Sequence, residues 1–271
     1  MDRLDGIAAH LFPLGWESSD FDLVNAGRFG ETAEGHDLSS VHLWDQVFKD
    51  ITAGDYEAAV IGTPCETASK ARIGPPGPRP LRSPEHIYGL PRKLLSHKEA
   101  DQVRLGTFFA LQSAKVATLL HERDIPWMIE NPSPTGNPVS LFNLPEWQEL
   151  ASLPGVKHVD FDQCHMGAET AKPTRILHFK LDLSSLAGKC AHTPTIHSYT
   201  DNHGVARTML SRHPPLVRRK RKAGSSATTA AAASPGEMNK RIAEAIAQSP
   251  TSLDTSWRDP VRFARAWITS P

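Results

Sequence analysis

The chain has 271 residues, 39% of them apolar and 22% charged, which is enough to bury one large core with chain to spare. Its 30 basic and 30 acidic side chains balance, which excludes a surface that binds nucleic acid or membrane over its whole extent and leaves a local basic patch as the alternative. Three scattered cysteines, Cys65, Cys164 and Cys190, exclude a disulfide framework. The opening "MDRLDGIAAH" has no secretory pattern, and no apolar run nears the roughly 20 residues of a membrane helix. An intracellular protein, nuclear or cytoplasmic and not secreted, with no membrane contact, is the expectation.

Residues 5–14 have helical apolar spacing up to Pro13, and "GWESSDFDL" follows as a short strand. "SVHLWDQVFKDI" (40–51) sets Val41, Trp44, Val47, Phe48 and Ile51 on one helical face, and Gly54 closes it. "YEAAVIG" reads as a buried strand. The segment 66–96, with "RIGPPGPRPLR", is too rich in Pro and Gly for a regular element. A helix is predicted from about Lys98 to Arg123, with Val103, Phe109, Val116 and Leu120 facing the core, and "IPWMIE" (125–130) is the next buried strand. Strand, helix and strand joined by a long connection make a parallel pair. "VKHVDFDQC" (156–164) and "TRILHFKL" (174–181) are two further strands. The alternation predicts an α/β, doubly wound, mostly parallel sheet. The boundaries drawn are an α/β domain over 1–190, a basic, low-complexity loop or reduced recognition region over 191–236, and a C-terminal helix and tail over 237–271. In that last helix Met238, Ile242, Ala245 and Ile246 face inward.

Ligands of open α/β sheets bind beyond the carboxyl ends of the strands. Cys65 stands just past the strand ending at Gly62, and Glu130 closes the strand that begins at Ile125, so a thiol and a carboxyl group are expected to converge on one edge. Arg175, leading "RILHFKL", is a third candidate. Each has an ordinary structural reading: a small buried hydrophobe, a turn and an edge charge. Gly-Thr-Pro-Cys after one strand and Glu-Asn-Pro after the next, within one crossover unit, favour the functional one.

These residues carry a resemblance. "GTPCET" resembles the Pro-Cys nucleophile loop of the DNA cytosine carbon-5 methyltransferases, "MIENP" their Glu-Asn motif, "AKPTRI" their arginine-bearing motif and "GHDL" (35–38) their short adenine-reading turn. The chain is most similar to the divergent form found in mobile elements and protists, over residues 5 to 192 and more faintly over the helix 237–247. The resemblance implies the fold of S-adenosylmethionine-dependent methyltransferases, with Cys65 as nucleophile, Glu130 as the acid clamping the base and Arg175 as the supporting cation. For S-adenosylmethionine it implies Asp20, Asp22, Asp37 and Pro64. For DNA, with RNA as the alternative, it implies Arg72, Arg82, Lys172 and the run Arg218, Arg219, Lys220 and Arg221. A monomer is expected. The other reading is a catalytically degenerate or truncated relic that at most binds nucleic acid.

The pattern departs from the family in two places. The family opens with a strand and a glycine loop, Phe-x-Gly-x-Gly, and that first strand is central in the sheet; here only Asp5 and Gly6 stand where the loop finishes. The first strand and glycine loop are therefore expected to be missing, leaving a gap whose unpaired backbone groups each cost on the order of 1–3 kcal/mol when buried. Glu66 also replaces the family's common Gln. Cys164, His165, Cys190, His192, His197 and His203 hold metal-ligating atoms, yet no C-x-x-C spacing exists, and adjacent side chains in a strand point to opposite faces. They read as ordinary side chains, with no metal expected.

Overall fold

The computed structural model describes residues 6–20, 37–73, 77–200, 204–214, 234–250 and 262–268, with the backbone alone for Ser19, Asp20 and 262–268. Helix α1 (Ile7–Leu11) leads into β1 (Trp16–Asp20), and α2 (Val41–Ala53) into β2 (Ala58–Gly62). The long α3 (His97–Glu122) crosses to β3 (Trp127–Pro132), and α4 (Pro145–Ser152) precedes β4 (Val156–Asp162) and β5 (Pro173–Phe179). A hairpin follows, β6 (Thr195–Thr200) and β7 (Ala206–Ser211), and then α5 (Gly236–Ala247) and β8 (Arg262–Ile268).

The main sheet is six-stranded in the order β1-β8-β2-β3-β5-β4. The first four strands are mutually parallel, while β5 runs antiparallel to both neighbours. The fold is thus mixed α/β with a mostly parallel sheet, as the alternation of elements implies. The expected gap in the sheet does not exist. β8, from residues read as part of a tail, lies between β1 and β2 and pairs with both, Ser18 with Ala264 and Val60 with Ala266. The backbone groups that a gap would have orphaned are satisfied by the far end of the chain.

Helices cover both faces because β2, β3 and β5 alternate between two apolar clusters. Ala59, Ile61, Trp127, Ile129, Leu177 and Phe179 pack against Trp44, Val47 and Ile51 of α2 and Ala110, Ala114, Ala117 and Leu120 of α3. Ala58, Val60, Met128 and Ile176 pack against Ile7 and Leu11 of α1 and Met238, Ile242 and Ile246 of α5. The buried stripe of α3 also holds Gly106 and Ser113, small residues that let this helix approach closely, whereas Phe109 is only partly buried. A capping box between Ser96 and Glu99 starts α3. On α2, Trp44, Val47 and Ile51 are buried, but Val41, expected inward, is exposed because it opens the helix beyond the sheet.

Two stretches expected to be irregular have definite structure. Residues 77–96 form loops and one 3₁₀ turn (Arg92–Leu94) tied to α3, and Thr195–Thr200 pairs with Ala206–Ser211 in the exposed β6–β7 hairpin, apart from the main sheet. No described helix is long and apolar enough to cross a membrane.

Candidate active site

β1, β8, β2 and β3 present their carboxyl ends at one edge, where Asp20, Ile268, Gly62 and Glu130 lie near the strand ends. Because β5 enters antiparallel, its first residues, with Lys172 just before them, join the same edge, and Ser133 N–H donates to the Pro173 carbonyl at 2.9 Å. Gly62 is in register with Glu130. Three residues after Gly62 the chain turns at Cys65, whose carbonyl accepts from Ala68 N–H at 2.9 Å.

Two asparagines hold this turn in place. Asn131 Nδ2 donates to the Thr63 carbonyl at 2.8 Å, and Asn137 Nδ2 to the Ala68 carbonyl at 2.9 Å, both buried. Thr63 Oγ1 in turn donates to Ser113 Oγ of α3 at 2.8 Å. The Asn of the Glu-Asn-Pro motif therefore clamps the Cys loop from the neighbouring strand.

Burial and then the charge of Glu130 push the Cys65 thiol up to about 11, against the opposing pull of Lys172 and of the backbone N–H of Cys65. Burial also raises the Glu130 carboxyl, again opposed by Lys172. The Oε1 atom of Glu130 is fully enclosed with no hydrogen-bond partner among the described residues. The arrangement is a thiol, a carboxyl and an ammonium close enough to bias one another's ionisation. An enclosed acceptor atom without a partner is expected where a ligand supplies the missing donor.

Arg175 does not belong to this group. Its Nε and Nη2 donate to the two carboxylate oxygens of Asp160 at 2.9 and 2.6 Å, and its guanidinium lies 5.7 Å from the Phe142 ring centroid. Burial works against the Asp160 charge, but Arg175 outweighs it and holds that carboxyl below its ordinary range. Arg175 is in register with Asn131, while Glu130 is in register with Ile176. Strand alternation therefore puts Arg175 on the α2–α3 face and Glu130 on the other. The cation beside the thiol and the acid is Lys172, which the sequence reading had placed among nucleic-acid contacts.

Arg82 is also reassigned. It is buried, with its guanidinium on Thr67 Oγ1, Thr107 Oγ1 and the Ile87 carbonyl, so it is an internal strut rather than a nucleic-acid contact. Burial with neutral partners lowers its pKa to about 10. Arg72 donates to the carbonyls of Glu66 and Arg79 and braces the Cys loop. Asp22 and the run Arg218, Arg219, Lys220 and Arg221 lie outside the described residues.

Among the cofactor candidates, Pro64 is half-buried next to Cys65. Asp37 accepts from Ser39 N–H at 2.9 Å in the turn leading to α2. Asp20 ends β1 on the far side of β8 from Gly62, at the edge where parallel sheets take nucleotide-like ligands. The contribution of Asp20 is thus one of position, and that of Asp37 is a turn. The residues described fit a ligand at this edge but do not by themselves define one.

The histidines and cysteines are redistributed relative to the sequence reading. Cys164 sits in a 3₁₀ turn (Gln163–Met166) rather than in a strand, so alternation does not separate it from its neighbours. The side chains of Cys164, Cys190, His192 and His213 converge, with one ligating atom of each within 4.8 Å of the others. His213 had not been singled out; its place at the far end of a hairpin gave no sequence signal. Compared with protein-family models, curated proteins and solved structures, the chain matches none.

Proposed function

We propose that the chain is a methyltransferase domain acting on carbon 5 of cytosine in DNA, with Cys65 as nucleophile and Glu130 as the acid that grips the base. One observation carries this reading. The thiol and the carboxyl, far apart in sequence, come within electrostatic range at the carboxyl edge of two adjacent parallel strands, where the Asn131–Thr63 hydrogen bond ties the Cys loop to the neighbouring strand.

Cytosine carbon 5 is a weak nucleophile. Addition of the Cys65 thiolate to carbon 6 moves an electron pair onto carbon 5, which then takes up an electrophilic methyl group. Loss of the carbon-5 proton and expulsion of the thiolate restore the aromatic ring and the free enzyme. Burial favours the neutral form of the Glu130 carboxyl, which in that form donates to the ring nitrogen and so draws electron density away from carbon 6. Lys172 favours the thiolate. S-adenosylmethionine would supply the methyl group from its sulfonium centre, whose sulfur keeps the bonding pair and leaves as a neutral thioether. The target base has to leave the helical stack to reach an edge this enclosed.

The strand order supports the reading in one further respect. The resemblance implies a central first strand, and β8 lies at an interior position of this sheet. β8 thus fills the kind of interior position that the resemblance assigns to the first strand. The second reading, a relic that only binds nucleic acid, is favoured by the Cys65 thiol being held protonated in the resting site.

Methyl transfer from radiolabelled S-adenosylmethionine to DNA separates the two readings. Incorporation at cytosine that disappears in Cys65→Ala is the expected result. DNA binding with no incorporation by the wild-type chain would favour the relic.

A further inference from the structure

Cys164, Cys190, His192 and His213 bring two sulfurs and two imidazole nitrogens together from three separate segments, independently of the proposed active site. Cys164 comes from the turn after β4, Cys190 and His192 from the strand-free link before β6, and His213 from just after β7. Cys190 Sγ lies 3.4 Å from His192 Nδ1 and 3.2 Å from His213 Nε2. The two imidazole rings meet edge to face, with centroids 4.7 Å apart. We infer that these four side chains bind one structural Zn²⁺ ion in a closed Cys₂His₂ site.

The donor chemistry matches the ion. Two thiolates and two neutral imidazoles cancel its charge and suit its tetrahedral preference, and a full set of four protein ligands makes the site structural rather than catalytic. The surroundings are those of a built site. His213 Nδ1 lies 2.9 Å from the Glu169 carbonyl, which takes the N–H and turns Nε2 toward the sulfurs. Asp162 Oδ2 accepts from Cys190 N–H at 2.8 Å, and Arg212 donates to the Cys190 carbonyl at 3.1 Å, so the backbone carrying the ligands is fixed from both sides. Cys164 and Cys190 are buried and free, while His192 is exposed and covers the outer side.

The site also answers a structural need. Among the described residues the β6–β7 hairpin pairs with no other strand, and Ile196, Met209 and Leu210 on it are exposed. A two-stranded hairpin alone is marginally stable at best. The ligands stand at its two roots, so the ion staples both ends to the β4–β5 turn. That turn lies at the carboxyl edge of the sheet that also carries Cys65 and Glu130, so the ion fixes the hairpin beside the proposed active site.

The test is metal content and coordination of the full chain, purified in reductant without chelator. One zinc per chain is expected, with X-ray absorption showing two sulfurs at about 2.3 Å and two nitrogens at about 2.0–2.1 Å. His192→Ala, a change at an exposed ring that spares the core, is expected to weaken zinc retention against a chelator by well over about 100-fold, beyond the roughly 10–100-fold that loss of an outer partner typically gives. Cys164→Ser should lose the metal, while Cys65→Ala and His197→Ala keep it. Cobalt loaded into the wild-type chain should give the intense visible bands of a tetrahedral thiolate site, a readout that does not depend on any variant folding. The assignment is overturned by a wild-type chain that takes up no stoichiometric zinc, by zinc retained unchanged in His192→Ala, or by a Cys164–Cys190 disulfide in place of the metal.

Discussion

Cys65 and Glu130 are each unfavourable as placed, and they are unfavourable in related ways. Burial opposes the thiolate and the carboxylate, and the charge of Glu130 further opposes the thiolate, with Lys172 the counterweight to both. Two variants should therefore move Cys65 reactivity in opposite directions. Glu130→Gln removes a negative neighbour and speeds alkylation of Cys65 by iodoacetamide at pH 8 several-fold; Lys172→Met slows it by a similar factor, with the modified peptide quantified by mass spectrometry. Equal rates in all three chains would break the proposed coupling. Stability gives a second handle. A carboxyl whose folded pKa is raised stabilises the fold below its ordinary pKa of 4.5, and that contribution is lost as pH rises through the higher folded value. Glu130→Gln should thus melt about 2–4 °C higher than the wild type at pH 7 and lose that advantage below pH 4; a lower melting point at pH 7 would contradict it. The sequence made the thiol and the acid legible, since each follows a buried strand at a proline turn. It could not show that Arg175 is spent on Asp160. That depends on which face of β5 each residue takes, and a one-residue choice of register decides it.

The loop between β2 and α3 carries more of the site than its composition suggests. Pro and Gly rule out a regular element there, which the sequence reading captured. They do not rule out rigidity, which comes from arginines folded back onto carbonyls and hydroxyls. Arg82 is the clearest case, because it joins Thr67, two residues after Cys65, to Thr107 on α3. Gly106 makes room for this contact: a Cβ there would lie 2.8 Å from Thr67 Oγ1 and 3.4 Å from the Arg82 guanidinium. Gly106→Ala is accordingly expected to displace the Cys loop and lower turnover while α3 stays helical by circular dichroism. Asn131→Ala leaves the buried Thr63 carbonyl without its donor, an expected loss of about 1–3 kcal/mol in urea unfolding together with loss of activity. Unchanged stability and turnover in that variant would mean that the clamp plays no part. No periodicity in the sequence announces either contact, since both join residues brought close only by the crossover.

At the scale of the whole molecule, the two ends of the chain meet inside one sheet. β8 supplies the parallel partner of both β1 and β2, so the sheet closes only when residues 262–268 are in place. A chain ending at residue 250 should show no cooperative melt and should aggregate, and adding the missing segment back as a separate peptide should restore some order. A truncated chain that melts as the full one does would remove β8 from the fold. "RFARAWI" carries two arginines, whereas interior parallel strands usually read as continuous apolar runs, so its strand is not announced by its pattern. The parallel core and its helices were legible from alternation and amphipathic spacing. The order of the strands was not, because it depends on a contact between the first and last elements.

The account rests on Cys65 adding to carbon 6 of an extruded cytosine. Its most direct test uses DNA in which 5-fluorocytosine replaces the target base. Fluorine leaves no carbon-5 proton to remove, so the thioether formed during methyl transfer persists. In the presence of S-adenosylmethionine the wild-type chain should gain the mass of the oligonucleotide, with the bond mapped to Cys65, and Cys65→Ala should gain none. A chain that binds both S-adenosylmethionine and the DNA yet forms no adduct, or forms one at a residue other than Cys65, would contradict it.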